Sequence, residues 1–209
     1  MCVKERPWQG LYADGITTLD YERGKAESIL DDPWQTDDSI GSWGYNPARP
    51  YMKPGLVVDK IIDIVSKNGN MLLNIPIKAD GTLDKEAIDL LNNVGEWFDV
   101  NGEAIFGTRR WKKDCQWTEG EIYEYSKQEF HHGIPDPIFE MAVSPKPGQA
   151  RKECYFTQKD DTLYALIPVL PENGVFHLND VNLSKNSEIT MLGVQGELDY
   201  KVHSDHVEI

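Results

Sequence analysis

The chain has 209 residues, is 40% hydrophobic and carries a formal net charge of −14, a make-up that fits one large or two small globular domains. That charge argues against nucleic acid and anionic membrane surfaces as partners, because both demand basic patches. No apolar run approaches the ~18 residues of a membrane-spanning helix, so no membrane insertion is expected.

The opening segment, MCVKERPWQG, lacks the apolar core of a signal peptide, and Met1 to Ala13 reads as an irregular entry. Gly15 to Tyr21 is rich in β-branched and aromatic residues and predicts a strand. Glu22 to Asp32 is charged and fits a short helix or a loop. Trp34 to Ile40 predicts a second strand, opening into the Gly- and Pro-rich loop GSWGYNPARP. Leu56, Ile61, Ile62, Ile64 and Val65 then supply the apolar face of a helix that Asn68-Gly69-Asn70 ends. Met71 to Ile77 is a nearly continuous apolar run, the pattern of a strand covered on both faces. Lys78-Ala79-Asp80-Gly81 is a turn. A second helix follows, with Asp84 as N-cap and Ile88, Leu91, Val94 and Phe98 on one face, stopped by Asn101-Gly102 in the usual manner of a C′ glycine. Helix–strand–helix around a buried strand implies an α/β layer or barrel.

After Trp111 the period changes. Tyr155 to Thr157, Leu163 to Ile167, Gly174 to Leu178, Ile189 to Leu192 and Leu198 to Val202 read as short strands, with Asp160-Asp161 as a hairpin turn. The predicted class is therefore α/β plus all-β, with residues 1–112 as the α/β part and 113–209 as a β-sandwich-like domain. Three widely spaced cysteines, Cys2, Cys115 and Cys154, imply neither a disulfide framework nor a metal site. Six Trp and nine Tyr suit the stacking of aromatic faces on sugar rings, although most such residues fill cores.

Four collinear stretches, PWQTDDSIGSWGYN, DIVSKNGNMLLNIPI, KADGT and VNGEAIFGTRRW, resemble the C-terminal part of the catalytic domain of α-L-fucosidases, glycoside hydrolase family 29. The resemblance is good over roughly residues 15 to 112. It implies the C-terminal portion of a (β/α)8-type barrel followed by a β-sandwich domain, with the chemistry carried by loops after the strands. It also implies a retaining exo-α-L-fucosidase without metal or cofactor. The substrate would be a fucosylated oligosaccharide or glycoconjugate, and the full-length parent would be secreted, periplasmic or lysosomal. Such an enzyme needs two carboxyl groups about 5–5.5 Å apart, one as nucleophile and one as acid/base.

No Asp of residues 1 to 20 sits in the family's nucleophile context, so the chain reads as a fragment, inactive alone, whose nucleophilic Asp lies upstream. Where many relatives carry the acid/base Glu, this chain has Gln35, and an amide cannot donate a catalytic proton. Glu22, following a strand, is the foremost replacement; Glu27 and Asp37 are weaker ones. The alternative for Glu22, the commoner role for any single Glu, is a structural partner of Arg23 or another nearby cation. Arg23 sits where relatives place a sugar-binding Arg, and a guanidinium can fork hydrogen bonds to adjacent hydroxyls. Trp43 is the candidate for packing on the fucose ring or its methyl group, against a core role. Asn74 can satisfy a backbone group at the barrel mouth. His131, His132, His177, His203 and His206 read as surface or hairpin residues, not ligands. Gln35 also supports another class: a non-catalytic carbohydrate-binding or interaction protein that has kept the scaffold.

Overall fold

Four strands, β1 (Cys2–Lys4), β2 (Thr18–Glu22), β3 (Trp34–Ser39) and β4 (Gly69–Asn74), form one sheet in sequential order, with every neighbouring pair parallel. The computed structural model describes residues 2–4, 17–122, 147–184 and 187–209, and of residues 2–4 only the backbone. Helix α1 (Pro54–Ser66) crosses from β3 back to β4, and α2 (Lys85–Asn101) follows β4. Pro54 at the first helical position sets the backbone of α1, since its missing N–H is one the helix would leave unbonded anyway. Asp84 caps α2 by accepting a hydrogen bond from the Ala87 N–H at 3.1 Å, as its residue type and place suggest.

Alternation in the strands decides which side α1 covers. Leu19, Tyr21, Trp34, Met71 and Leu73 join Ile64 and the apolar residues of α1 in the core on one face. Trp34 is fully buried, its indole donating to the Lys67 carbonyl at 2.8 Å. Gly69 leaves the room: a Cβ there would lie 2.5 Å from the Trp34 ring. By register, the opposite face carries Asp20, Gln35 and Asn70 in one row and Glu22, Asp37 and Leu72 in the next.

Here the expectation for β4 needs correction. The strand ends at Asn74, not Ile77, and only one of its faces is covered; Leu72 is 59% exposed on the other. The run MLLNIPI is apolar on both faces, but a second layer over Leu72 is absent among the described residues. In α2 the expected face holds for Val94, which is buried, and for Leu91 and Phe98, which pack against the same core, but Ile88 is exposed and Ala87 and Leu90 turn inward beside them. Gly102 closes α2 in right-handed geometry, φ −58°, and leads into a 3-10 turn (Gly102–Ala104) instead of stopping the chain with a left-handed cap. The left-handed residue comes later, at Gly107, φ +74°. Thr18–Glu22 begins later than the strand expected from Gly15, and Gly24 to Pro33 forms bends without a helix.

Among the described residues the all-β part contains two small antiparallel sheets. One has β5 (Arg109–Trp117), β6 (Lys152–Lys159) and β7 (Thr162–Leu166); the other has the order β8 (His177–Asn179), β10 (His206–Glu208), β9 (Lys201–Val202). Phe156 and Cys154 of β6 pack with Phe176, Leu178 and Val207, so the two sheets enclose a shared core. Asp160, φ +50°, turns the β6–β7 hairpin as expected. Leu198 to Val202 contributes only the two-residue β9, and Ile189 to Leu192 only an isolated bridge, Thr190 to Glu197. Residue 113 lies inside β5. His131 and His132 lie outside the described residues.

The other side of the β5–β7 sheet rests on α1 through Tyr155 and Leu166. A buried ion cluster pins this contact. Asp63 of α1 binds Lys67 at 2.9 Å and Lys25 at 3.2 Å, and also bonds Lys152 of β6. One carboxylate thus faces three ammonium groups. They hold Asp63 far below the usual carboxylate range despite its burial, whereas burial drives Lys67 down to about 8.

Asp59, half-buried on the same helix, is pushed up to about 6 by burial. Its folded value exceeds the ordinary 3.8, so its favourable contribution is complete below that pH and lost as pH rises through 6. A two-unit shift corresponds to at most about 3 kcal/mol, and solvent screening reduces this to about 1 kcal/mol. Asp59→Asn is therefore expected to raise the melting temperature by about 2–4 °C at pH 7.5 and to leave it unchanged at pH 4, measured by calorimetry.

Candidate active site

Parallel α/β sheets place their ligands at the carboxyl ends of the strands, where the following loops gather. At that edge β2 ends in Glu22, β3 in Asp37-Asp38-Ser39 and β4 in Asn74. Glu22 and Asp37 are direct register partners, so two carboxyl-bearing residues stand side by side on the open face. Gln35 lies one row below, its amide 3.5 Å from Asp20 Oδ1. Glu27 is exposed on the connection between β2 and β3.

Arg23 turns the chain out of β2 with φ +51°, a left-handed conformation uncommon for a residue with a Cβ. Two hydrogen bonds and an ion pair hold it there, although its Nε is buried without a hydrogen-bond partner among the described residues. Its N–H donates to the Asp37 carbonyl at 2.8 Å, its Nη2 to the Gly41 carbonyl at 2.7 Å, and its Nε lies 3.7 Å from Asp38 Oδ1. The guanidinium carbon sits 4.6 Å from the centre of the Trp43 ring. Arg23 is only 6% exposed, whereas Trp43 is 40% exposed at the rim. Asp38 also binds Lys60 of α1 at 2.6 Å, so the guanidinium, carboxylate and ammonium form one buried chain linking site and helix.

The loop after β3 is clasped to β4. Asn74 Nδ2 donates to the Trp43 carbonyl at 3.0 Å and to Ser39 Oγ at 2.9 Å, and Ser39 Oγ donates to the Ser42 carbonyl at 2.8 Å. Asn74 thus satisfies a loop carbonyl, the role its position suggested. Glu22, Arg23 and Trp43 are brought to one edge. Asp38, Lys60 and Ser39 escaped the sequence reading, although strict alternation along WQTDDS separates Asp38 from Asp37 and would have turned it toward α1.

The described chain thus combines a parallel sheet, with acids, an arginine and aromatic residues at its carboxyl edge, and two small antiparallel sheets that pack against its helix. The α-L-fucosidase family matches residues 1–103. Human tissue α-L-fucosidase is 27% identical over 189 residues, covering 88% of this chain and 34% of that protein. The crystal structure of Thermotoga maritima α-fucosidase in complex with fucose superposes with a TM-score of 0.66 at 24% identity, covering 92% of this chain and 40% of that one. A Bacteroides thetaiotaomicron GH29 α-L-fucosidase, captured as a trapped covalent intermediate, gives 0.64 at 18%, covering 91% and 39%. Over residues 1–103, just under half of the chain, the sequence is similar to the α-L-fucosidase family. It spans about a third of the length of the curated relatives it matches. No described helix is long and apolar enough to cross a membrane.

Proposed function

We propose that this chain forms the carboxyl-terminal barrel units and β-domain of a retaining exo-α-L-fucosidase that removes terminal fucose from fucosylated glycans. The observation that carries the reading is the edge at which Glu22, in register with Asp37, is followed by Arg23, whose anchored guanidinium lies against the half-exposed Trp43 indole. Glu22 donates a proton to the glycosidic oxygen as the bond to the leaving group breaks, then takes one from the water that releases fucose. Arg23 offers hydrogen bonds to sugar hydroxyls and holds Trp43, which packs on the apolar side of the ring. The nucleophilic Asp of a double displacement is assigned to the part of the relatives' length that this chain does not span.

The test is release from an aryl α-L-fucoside by the full-length protein, followed by NMR. The reading expects turnover with α-fucose as the first product. First-formed β-fucose would remove the retaining mechanism. Gln35, in place of an acid, favours a second reading, a carbohydrate-binding protein on the same scaffold; fucose binding without turnover of any fucoside would establish it.

A further inference from the structure

The rim beyond Trp43 has a charge unlike the rest of the molecule. The chain is at −14, yet Ser39 to Val58 contains no Asp or Glu and does contain Arg49 and Lys53. Both are exposed, and neither forms an ion pair with a described residue. From the other side of the clasp comes Lys78, four residues past the end of β4. A tight turn fixes it: its N–H donates to the Thr82 carbonyl at 2.9 Å, and its own carbonyl accepts from Gly81 N–H at 2.9 Å. Its ammonium lies 5.8 Å from the centre of the Tyr45 ring. The nearest acid in sequence, Asp80, has its Oδ1 engaged by the Thr82 backbone at 3.0 Å and hydroxyl at 2.7 Å. Trp43 and Tyr45 are separated only by Gly44, and the Asn74 bond to Trp43 fixes this stretch against β4.

A terminal sugar seated over Glu22, Arg23 and Trp43 has its glycosidic oxygen beside the proton donor, and its leaving group continues outward across this rim. We propose that Tyr45, Lys78 and Arg49 form the subsite for that leaving group and select glycans in which the adjoining sugar carries an anionic substituent, a sulfate ester or a carboxylate. The Tyr45 ring supplies a stacking face for the second sugar. Lys78 and Arg49 supply cationic donors, the guanidinium able to bind two anionic oxygens at once. This rests on the proposed function for the position of the leaving group, not for the existence of the cationic rim.

The test uses the full-length protein and three probes of the leaving-group side: N-acetyllactosamine, its 6-sulfate, and its 3′-sialylated form, with free fucose as a separate ligand. Binding is followed by NMR titration. In about 20 mM salt at least one anionic probe is expected to bind about fivefold tighter than the neutral one, with the advantage shrinking below about twofold at about 500 mM salt. Lys78→Ala should remove most of that advantage while leaving affinity for fucose unchanged. Arg49→Ala, at an exposed loop position, should reduce it in part with no risk to folding. The sulfate and sialyl arms show which anion fits. Equal affinity for neutral and anionic probes, or a preference that survives both substitutions, overturns the proposal. Loss of fucose binding with the anionic preference intact overturns the reading at Glu22 and Arg23 and supports the cationic rim.

Discussion

Asp63→Ala is expected to destabilise the protein by about 3–5 kcal/mol, the largest effect of any single substitution described, measured by denaturant unfolding. The carboxylate is 1% exposed and is shared by Lys25, Lys67 and Lys152, which reach it from the connection after β2, from the residue capping α1 and from β6. Removing it leaves three ammonium groups crowded together without the carboxylate they share, Lys152 keeping Asp114 at 3.7 Å. Lys67→Met should behave oppositely and cost little, because the cluster already contains more cations than one carboxylate balances. The pH dependence follows the same logic. Lys67 is at about 8 when folded and near the ordinary 10.5 when unfolded, so the unfolded chain binds the proton more tightly between those values. Stability from this group therefore rises as pH climbs from 8 toward 10.5. A cluster of purely structural worth would lose stability in Asp63→Ala without moving the site.

The second large effect belongs to Arg23. Arg23→Ala is expected to lower kcat/KM on an aryl α-L-fucoside by about 10²–10³-fold in the full-length enzyme, corresponding to about 3–4 kcal/mol. The loss has two parts: hydrogen bonds to the sugar, and the guanidinium that supports Trp43 and ties Gly41 and Asp38 together. Arg23→Lys keeps the charge but not the planar fork, and should recover less than a tenth of the activity. If Arg23→Ala retained wild-type kcat/KM, the guanidinium would serve the fold alone.

Much of this layout was legible because local signals agreed with one another. Trp34–Ser39 alternates polar and buried residues, Asp84 stands where a cap is needed, and Asp160-Asp161 lies between two strand patterns. The misjudged elements had local signals that tertiary contacts overrode. Leu72 and Ile77 belong to an apolar run that any reading would bury, yet the described chain has nothing to cover them. In α2, Ile88 and Leu90 are both apolar, and only the direction of α1 decides which turns inward. The Asp63 cluster was out of reach for a different reason: Asp63 and Lys67 are one helical turn apart, but Lys25 and Lys152 are distant in sequence. At the site, Glu22 and Arg23 were suggested by their place after a strand. The Asp38–Lys60 support and the Asn74–Trp43 clasp depend on parallel pairing that no single segment reveals.

The most direct test of the account is Glu22→Ala in the full-length protein, assayed on an aryl α-L-fucoside with and without azide. The account predicts activity lowered by about 10²–10⁴-fold without azide, the range of acid–base catalysis, and restored with it as α-fucosyl azide forms, because azide takes the place of the water that attacks the fucosyl-enzyme. Undiminished activity in Glu22→Ala without azide would contradict it, and would move the proton donor to another carboxyl group, with Asp37 beside it as the next to replace.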